Sequence, residues 1–262
     1  MILATDNPAA LPSPPLPAAP SSIALFLDID GTLLEFAPDP DGVVVDAALP
    51  SLLDQLDDAL GGALALLSGR SLQRIDDLLG RPRLAAAGSH GAELRRRGGT
   101  IVRAVRDSHG MSALRAYAAA LLADLPGVVV ENKPDAIALH WRAAPAMATA
   151  VEAAALRLVR AGGKGYRLQR GDCVVELRGI GADKGDALRT LMQHAPFAGR
   201  VPWMIGDDLT DEHAFDAAER AGGGGIVVGT RRPTRARYAL ADPAAVHRWL
   251  AALAAHPQEV TA

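Results

Sequence analysis

Two aspartates, Asp28 and Asp30, follow directly after the apolar run Ile23–Leu27. An unbroken apolar run of this length predicts a parallel strand that is buried on both faces. Because the aspartates are two residues apart, both side chains point to the same side where the strand ends. Two carboxylates in a cleft repel each other unless a cation lies between them. The stretch therefore predicts a site for a divalent cation; the alternative is a strand that ends in solvated aspartates.

Ser68, Gly69 and Arg70 follow a second predicted buried strand over residues 63–67, and a predicted helix begins at Ser71. A hydroxyl and free backbone N–H groups at a strand-to-helix turn can bind the oxygens of a phosphate group. The same residues would also suit an ordinary helix cap. The segment therefore indicates a phosphate site only in combination with the aspartates, which precede it by one βαβ unit.

Two later segments place charged residues where a ligand would explain them. Lys184 lies near the start of a predicted helix, where a cation is unfavourable unless an anion lies close by. A predicted strand over residues 201–205 is followed by four acidic residues: Asp207, Asp208, Asp211 and Glu212. Carboxylates in that position suit a hard cation, although some of them would favour the helix N-terminus without any ion.

Taken in order, these four segments resemble the four motifs of the haloacid dehalogenase superfamily, beginning with Asp-x-Asp-Gly-Thr at residues 28–32. The resemblance implies that Asp28 is the nucleophile and becomes an aspartyl-phosphate, with Asp30 as general acid and base. It implies that Ser68 and Lys184 bind the other phosphoryl oxygens. The chemistry agrees, since a carboxylate can accept a phosphoryl group and a second carboxyl can protonate the leaving oxygen and then activate water.

The same resemblance implies a Mg²⁺ cofactor. Its ligands would be the Asp28 carboxylate, the main-chain oxygen of Asp30, and Asp207. Asp208 is a further candidate, and its direct contact with the ion stays open. Phosphoryl transfer depends chiefly on positioning and charge neutralisation, and Mg²⁺ would neutralise the phosphoryl oxygens.

Between the second and third of these segments the pattern changes. Residues 108–178 predict the order helix, two strands, helix, two strands, which indicates an α+β module with an antiparallel sheet and helices on one face. We interpret this module as a cap inserted into a Rossmann-like α/β core with a parallel sheet. The chain would then divide into a poorly ordered proline-rich leader, two core segments and the cap: residues 1–20, 21–107 with 179–262, and 108–178.

One face of the predicted cap sheet carries charged residues. Alternation along the strands places four of them on the side away from the helices, above small alanines. They are Glu131, Lys133, Arg142 and Glu176. Such a surface offers hydrogen-bond donors and acceptors to a polyhydroxylated ligand. The alternative is a solvated face with cross-strand charge pairs, and the strand pattern alone does not choose between them.

Several segments between about residue 23 and residue 229 resemble, more narrowly, the trehalose-6-phosphate phosphatase family. They are residues 88–93 (Gly-Ser-His-Gly-Ala-Glu), 130–133 with 140–142, 175–178 with 184–185, and 206–212. The resemblance implies hydrolysis of trehalose 6-phosphate. It implies that Glu131, Lys133 and Glu176 contact the sugars.

The family resemblance also concerns residues near the phosphate and the rim of the site. It places His90 and Arg142 there, and we count Gly69 and Arg70 among the candidate substrate-binding residues. His90 lies close to Gly88 and Gly91, and glycines let the backbone approach a ligand closely. Without the resemblance, a loop histidine with no function remains the alternative. The family pattern does not explain the proline-rich leader.

The composition excludes several classes of function. The 262-residue chain is 49% hydrophobic and has a net charge of −3, so nothing points to nucleic acid or an anionic membrane as a partner. Cys173 is the only cysteine, which rules out an internal disulfide and fits a reducing compartment. No apolar run approaches the ~18 residues that a membrane span needs. We therefore expect a cytoplasmic protein. We also expect a monomer, and the family resemblance implies that it acts on a small molecule.

Three functions remain open to the sequence. The first is hydrolysis of trehalose 6-phosphate. The second is the reaction of another cap-bearing phosphatase of the superfamily, acting on sucrose or mannosyl-glycerate phosphates, or of a phosphomutase. The third is a non-catalytic module that binds sugar phosphates for regulation. The complete motif set argues against the third, and the cap segments argue against the second.

Overall fold

The computed structural model describes residues 11–35, 45–103, 108–133, 136–171, 173–179 and 183–255. These residues fall into two compact units. The first unit lies within Met1–Arg103 and Asp183–Ala262, and the second unit lies within Ala104–Ala182. Among the described residues, no helix combines the length and apolar character that crossing a bilayer requires.

In the first unit most of the described strands alternate with helices, and in the second unit each helix is followed by two strands. The strands are β1 Ile23–Leu27, β2 Leu64–Leu67, β3 Ala85–Gly88, β4 Glu93–Arg95, β5 Ile101–Arg103, β6 Val129–Lys133, β7 Ala136–His140, β8 Tyr166–Gly171, β9 Val174–Gly179, β10 Val201–Gly206, β11 Gly224–Val228 and β12 Tyr238–Leu240. The α-helices are α1 Leu49–Ala59, α2 Leu72–Leu79, α3 Ser108–Leu122, α4 Ala148–Gly162, α5 Lys184–Met192, α6 Glu212–Arg220 and α7 Pro243–Ala254.

The first unit contains an eight-stranded sheet in the order β12-β11-β10-β1-β2-β3-β4-β5. The strands from β12 to β3 are parallel, and β4 and β5 form an antiparallel extension. The chain order runs outward in both directions from the neighbours β1 and β10. In open parallel sheets a ligand site lies at such a reversal, beyond the carboxyl ends of the strands.

Strand β1 is buried on both faces, as its unbroken apolar run predicts. Leu25 and Leu27 pack into a hydrophobic cluster with residues of α1, α2 and α7. Ala24 and Phe26 point the other way, into a cluster with residues of α5 and α6. This two-sided packing confirms the α/β fold class, and it fixes the direction in which the residues after Leu27 leave the sheet.

Three neighbouring strands end at the same edge of the sheet. Leu27 is in register with Leu66 of β2 and with Ile205 of β10. The residues that follow these strands therefore emerge side by side, and they include Asp28 and Asp207. The register thus places the segments that follow β1, β2 and β10 at one edge of the sheet.

The first unit differs from the expectation in two places. β12, a strand that the sequence did not predict, follows β11 and pairs parallel to it. Part of the leader is also ordered, because Ala239 donates its N–H to the carbonyl of Pro12 at 3.0 Å. Trp249 donates its indole N–H to the carbonyl of Pro14 at 3.2 Å. Residues 11–14 therefore pack on the core, next to the edge strand β12.

The second unit has the predicted order of helix, two strands, helix and two strands. Its antiparallel sheet has the order β6-β7-β9-β8. One face packs against both helices: Ile137 and Leu139 of β7 join a cluster that contains Leu114 of α3 and Val151 and Leu158 of α4. The helices thus cover one face, and the charged side chains of β6 and β9 belong to the other.

Candidate functional site

A buried lysine lies between two buried aspartates where β1, α5 and α6 meet. Lys184 Nζ donates to Asp28 Oδ1 at 2.5 Å and to Asp211 Oδ1 at 2.6 Å. The Lys184 side chain is 2% exposed. We call Lys184, Asp28 and Asp211 the core lysine cluster. Lys184 is the first residue of α5, which Asp183 caps by accepting from the N–H of Asp186. The carboxylates of Asp28 and Asp211 are the anions predicted near Lys184, and they explain why a cation is tolerated at this helix N-terminus.

Burial and close charges shift the pKa values of this cluster. Burial raises the pKa of Asp28 well above its usual value, although Lys184 acts in the opposite direction. Burial alone would lower the pKa of Lys184, but Asp211 and Asp28 together raise it above its ordinary value. Lys184 is therefore a fixed positive charge, and the carboxylates around it compete for that charge.

Asp207, directly after β10, completes an acidic group with the two aspartates of the core lysine cluster. One carboxylate oxygen from each of Asp28, Asp207 and Asp211 lies within 4.8 Å of the others. Burial, followed by the charge of Asp211, raises the pKa of Asp207 to about 6. Carboxylate oxygens at this spacing are the donors that a hard divalent cation prefers.

Asp211 and Asp208 have different roles in the segment over residues 206–212, which we call the acidic loop. Asp211 Oδ2 accepts the backbone N–H groups of Asp207 and Asp208 at 3.0 and 2.9 Å, and the residue is fully buried. Asp208 is exposed and caps the short helix Leu209–Asp211, with Oδ1 accepting the N–H of Leu209 at 2.6 Å. The Asp208 carboxylate therefore serves a helix N-terminus and lies outside the acidic group of Asp28, Asp207 and Asp211. Its contact with a metal ion stays a prediction.

Asp30 is held by Arg70 from the turn after β2. Arg70 Nε donates to Asp30 Oδ2 at 2.8 Å, and Arg70 NH2 donates to Oδ1 at 2.7 Å. Ser68 is buried, and its Oγ accepts the N–H of Arg70 at 3.1 Å. The helix that follows is capped by Ser71, whose side chain accepts from Arg74 N, so Ser68 is not the helix cap. The first two motifs therefore contact each other directly through the Arg70–Asp30 pair.

His90 lies against the Ser-Gly-Arg turn. The backbone N–H of His90 donates to the carbonyl of Ser68 at 2.8 Å. Its ring covers Gly69, where an added Cβ would come within 2.6 Å of His90 Nε2. Gly91 packs equally closely, since a Cβ there would lie 2.5 Å from the carbonyl oxygen of Asp183. The two glycines thus allow the second-motif turn, the His90 segment and the start of α5 to approach each other.

The open face of the second unit's sheet brings three predicted residues together. Lys133 donates to Glu176 and lies 3.9 Å from Glu131 Oε2. We call Lys133, Glu131 and Glu176 the sheet-face cluster. His140 Nε2 lies 2.9 Å from Glu131 Oε2, and the buried Arg178 has its Nε 3.9 Å from Glu176 Oε2. The face is therefore an organised polar network.

Two details of this face differ from the expectation. Strand β7 ends at His140, so Arg142 lies in the turn beyond it and is exposed. Ala136 and Ala138 are buried, because the Lys133–Glu176 pair joins the strands on either side of them. The alanines do provide the small surface that was predicted, but long charged side chains already cover it.

A sequence model of the trehalose-phosphatase family matches residues 26–244, most of the chain. The chain belongs to the trehalose-phosphatase family. A probable trehalose-phosphate phosphatase of Sinorhizobium fredii is 42% identical over 210 residues, which are 80% of this chain and 79% of that protein. The trehalose-6-phosphate phosphatase of Escherichia coli is 40% identical over 235 residues, 89% of this chain and 87% of that protein.

Solved structures agree with this family assignment at the level of the fold. The C-terminal domain of C. albicans trehalose-6-phosphate phosphatase is 22% identical with a TM-score of 0.77, covering 93% of this chain and 98% of that chain. A trehalose-6-phosphate phosphatase related protein is 26% identical with a TM-score of 0.68, covering 88% and 96%. A phosphatase of the haloalkanoate (HAD) superfamily from Bacteroides thetaiotaomicron is 16% identical with a TM-score of 0.60, covering 87% of this chain and 93% of that chain. This likeness confirms the predicted haloacid dehalogenase type of fold.

Three residues of this trehalose-phosphatase family member have roles that the sequence did not predict. Asp211 was one of four acidic residues, and only the unexplained cation at Lys184 could have pointed to it. Glu93 Oε2 accepts the N–H of Leu72 at 3.0 Å at the start of α2. Arg231 donates to main-chain carbonyls of the acidic loop, and such partners leave no pattern in a sequence.

Proposed function

We propose that this chain is a Mg²⁺-dependent phosphatase that converts trehalose 6-phosphate to trehalose and phosphate. The observation that carries the proposal is the core lysine cluster, in which a buried aspartate at the end of the central strand is bound to a fixed positive charge. The names of its relatives from S. fredii and E. coli support the substrate. The proposal includes action as a cytoplasmic monomer on a small molecule, without a nucleic-acid or membrane partner.

The reaction would begin at Asp28. Its carboxylate oxygen attacks phosphorus, the bond between phosphorus and the sugar oxygen breaks, and Asp30 delivers a proton to that oxygen. Asp30 then takes a proton from water while the water oxygen attacks phosphorus. That step breaks the bond to Asp28, releases phosphate and restores both carboxyl groups. Arg70 fixes the direction in which the Asp30 carboxylate points. Because this pair engages both Asp30 oxygens, one of them must separate from Arg70 to carry the transferred proton.

The phosphoryl oxygens require positive charge and hydrogen-bond donors. We assign these tasks to Lys184, to the Ser68 hydroxyl, and to the backbone near Gly69. Asp28 and Asp207, with the main-chain oxygen of Asp30, would hold Mg²⁺. Asp211 is left out of this set, because Lys184 and two backbone N–H groups already occupy its oxygens. When bound, Mg²⁺ would supply charge neutralisation for the transferring phosphoryl group.

Recognition of the disaccharide is assigned to the sheet-face cluster of the second unit, which we propose acts as the cap. Lys133, Glu131 and Glu176 offer donors and acceptors that match sugar hydroxyls. Arg142 and His90 are proposed as further contacts near the phosphate and the rim. The partly exposed sheet-face cluster supports this assignment, because its members can exchange their mutual contacts for contacts to a ligand.

The test is release of free phosphate from a panel of sugar phosphates, with Mg²⁺ and after treatment with a chelator. We expect the largest kcat/KM for trehalose 6-phosphate, and activity that is lost with the chelator and restored by Mg²⁺. Preference for sucrose or mannosyl-glycerate phosphate would overturn the substrate assignment. Phosphate release that survives complete removal of metal would overturn the role of Asp207. No release from any member, together with binding, would indicate the regulatory module.

A further inference from the structure

The peptide that joins Asp207 to Asp208 is held from its N–H side by one residue. The backbone N–H groups of Asp207 and Asp208 donate to Asp211 Oδ2 at 3.0 and 2.9 Å. Asp211 is itself restrained, since it is fully buried and its other oxygen binds Lys184. This side of the acidic loop is therefore tied to the core lysine cluster.

The carbonyl side of the same peptide is held by Arg231. Its Nε donates to the carbonyl of Asp207 at 2.8 Å, and its NH2 donates to the carbonyl of Asp208 at 3.2 Å. The guanidinium is itself fixed, because NH2 also donates to Glu212 Oε1 at 2.5 Å. Glu212 uses its second oxygen to accept the N–H of Arg235 at 2.8 Å. Arg231 thus joins the loop after β11 to the first residue of α6 and to the acidic loop.

We propose that Arg231 is a positioning residue that sets the backbone of the metal ligand Asp207. The inference rests on the proposed function for the identity of the ligand. Both polar groups of the Asp207 backbone are bound by fixed, charged side chains, Asp211 on the N–H and Arg231 on the carbonyl. The backbone of Asp207 is therefore restrained on both sides. Metal ligands need support of this kind to stay within about 0.5 Å of their working position.

Arg231 has two opposing effects on a cation at Asp207. By holding the backbone it favours binding, while its positive charge in the same region opposes binding. Loss of an outer support commonly weakens metal affinity by about 10–100-fold. Because the Arg231 side chain is partly solvated, at 23% exposed, we expect its repulsion to be screened and the effect of positioning to prevail. The sign of the change in affinity therefore distinguishes the two effects.

The experiment compares Arg231→Ala with the parent enzyme in a titration with MgCl₂. Mg²⁺ binding is followed by the rise in melting temperature and by calorimetry, and in parallel by phosphate release. We expect the half-saturating Mg²⁺ concentration to rise about tenfold, with kcat at saturating Mg²⁺ within about threefold of the parent. Arg231→Lys keeps the charge, but its single ammonium group cannot reproduce the planar donors that bind both carbonyls and Glu212, so this variant should fall between the two proteins.

The matched control is Arg235→Ala. Arg235 lies four residues away and pairs through NH1 with Asp216 at an exposed position, while its backbone contact to Glu212 survives the substitution. It should titrate like the parent. Unchanged or tighter Mg²⁺ binding by both Arg231 variants would overturn the proposal, as would an equal loss in Arg235→Ala. A parent enzyme that Mg²⁺ neither stabilises nor activates would overturn the metal site of the proposed function as well, so the two failures are distinguishable. If Arg231→Ala does not fold, Arg231→Lys carries the test.

Discussion

Each unit of this protein holds a lysine between two carboxylates, and the two arrangements differ chiefly in burial. In the core lysine cluster the lysine side chain is 2% exposed and its aspartates are 6% and 0% exposed. In the sheet-face cluster the lysine side chain is 34% exposed, with glutamates at 50% and 12%. The residue types are nearly the same, so the surrounding protein determines what each cluster can do.

The difference follows from the cost of removing charge from water. In the core lysine cluster, burial makes each ion depend on its partner, because an unpaired buried charge is strongly unfavourable. Burial raises the pKa of Asp28 against the effect of Lys184, and the two aspartates raise the pKa of Lys184 against the effect of burial. The sheet-face cluster remains partly hydrated, so its ion pairs contribute little to stability and can be exchanged for a ligand. One cluster is suited to bond making and the other to recognition.

The largest effect is expected from Asp28→Asn. An amide has the shape of the carboxylate but cannot accept the phosphoryl group, so phosphate release should fall by more than about 1,000-fold. The melting temperature of the metal-free protein should not decrease, because the substitution removes a buried negative charge. Phosphate release and thermal unfolding measure the two quantities.

The control for Asp28→Asn is Asp208→Asn in the same acidic loop. Asparagine also caps helices, so a residue that only caps should tolerate this change with activity within a few-fold of the parent. Equal loss in both variants would mean that Asp208 contacts the ion or the substrate after all. Near-parental turnover of Asp28→Asn would exclude the covalent route.

Replacing the two lysines separately tests the comparison directly. Lys184→Met leaves buried Asp28 and Asp211 without a cation, which should lower the free energy of unfolding of the metal-free protein by about 3–5 kcal/mol and reduce turnover by more than about 100-fold. Lys133→Met should cost less than about 1 kcal/mol. Chemical denaturation in chelator measures both variants. Equal destabilisation would contradict the distinction by burial, and recovery of Lys184→Met with Mg²⁺ would support an ion beside the same carboxylates.

Glu131→Ala and Glu176→Ala should affect specificity alone. Loss of a charged partner for sugar hydroxyls costs about 1–3 kcal/mol, so kcat/KM for trehalose 6-phosphate should fall by roughly tenfold to a few hundredfold. Hydrolysis of a small aryl phosphate should stay close to that of the parent. Glu152→Ala is the matched control, since Glu152 pairs with Arg170 in the same unit at an exposed position. If both substrates decline together, or neither does, the sheet face does not bind the sugar.

Much of this arrangement could be predicted from local patterns. The folded chain preserves several local periodicities and turn patterns. They are the apolar run before Asp28, the Ser68-Gly69-Arg70 turn, and the alternation of inward and outward side chains in the strands around Ala136. The order of helices and strands in the second unit follows from the same periodicities. Such features depend on neighbours in the sequence, so they need no knowledge of the tertiary structure.

The features that could not be predicted depend on distant partners. Nothing in residues 206–212 shows that Asp211 turns inward to Lys184 while Asp208 stays outside as a cap. The contacts of Pro12 and Pro14 use main-chain carbonyls, and proline composition gave the opposite expectation for that segment. Arg142 was counted with its strand because alternation does not show where a strand ends.

The smallest expected effect concerns the proton on Asp207 in the metal-free enzyme. Burial and the charge of Asp211 raise its pKa from 3.8 to about 6. The folded state therefore holds this proton more tightly than the unfolded state does. The resulting stabilisation is complete below about pH 4 and is lost as the pH rises through about 6. Because Asp207 is partly exposed and its charge is screened, we expect a contribution of order 1 kcal/mol.

Melting temperatures of the parent and of Asp207→Asn, measured in chelator from pH 4 to pH 7.5, isolate this contribution. The parent should lose about 2–4 °C relative to the variant across that range, since asparagine has no proton to lose. Saturating Mg²⁺ should remove the loss in the parent, because the ion binds the carboxylate form, and should leave the variant unchanged. Parallel curves for the two proteins would show that Asp207 is hydrated like the glutamates of the sheet-face cluster. The contrast between a buried cluster and a hydrated cluster would then apply to Asp28 and Asp211 but not to Asp207.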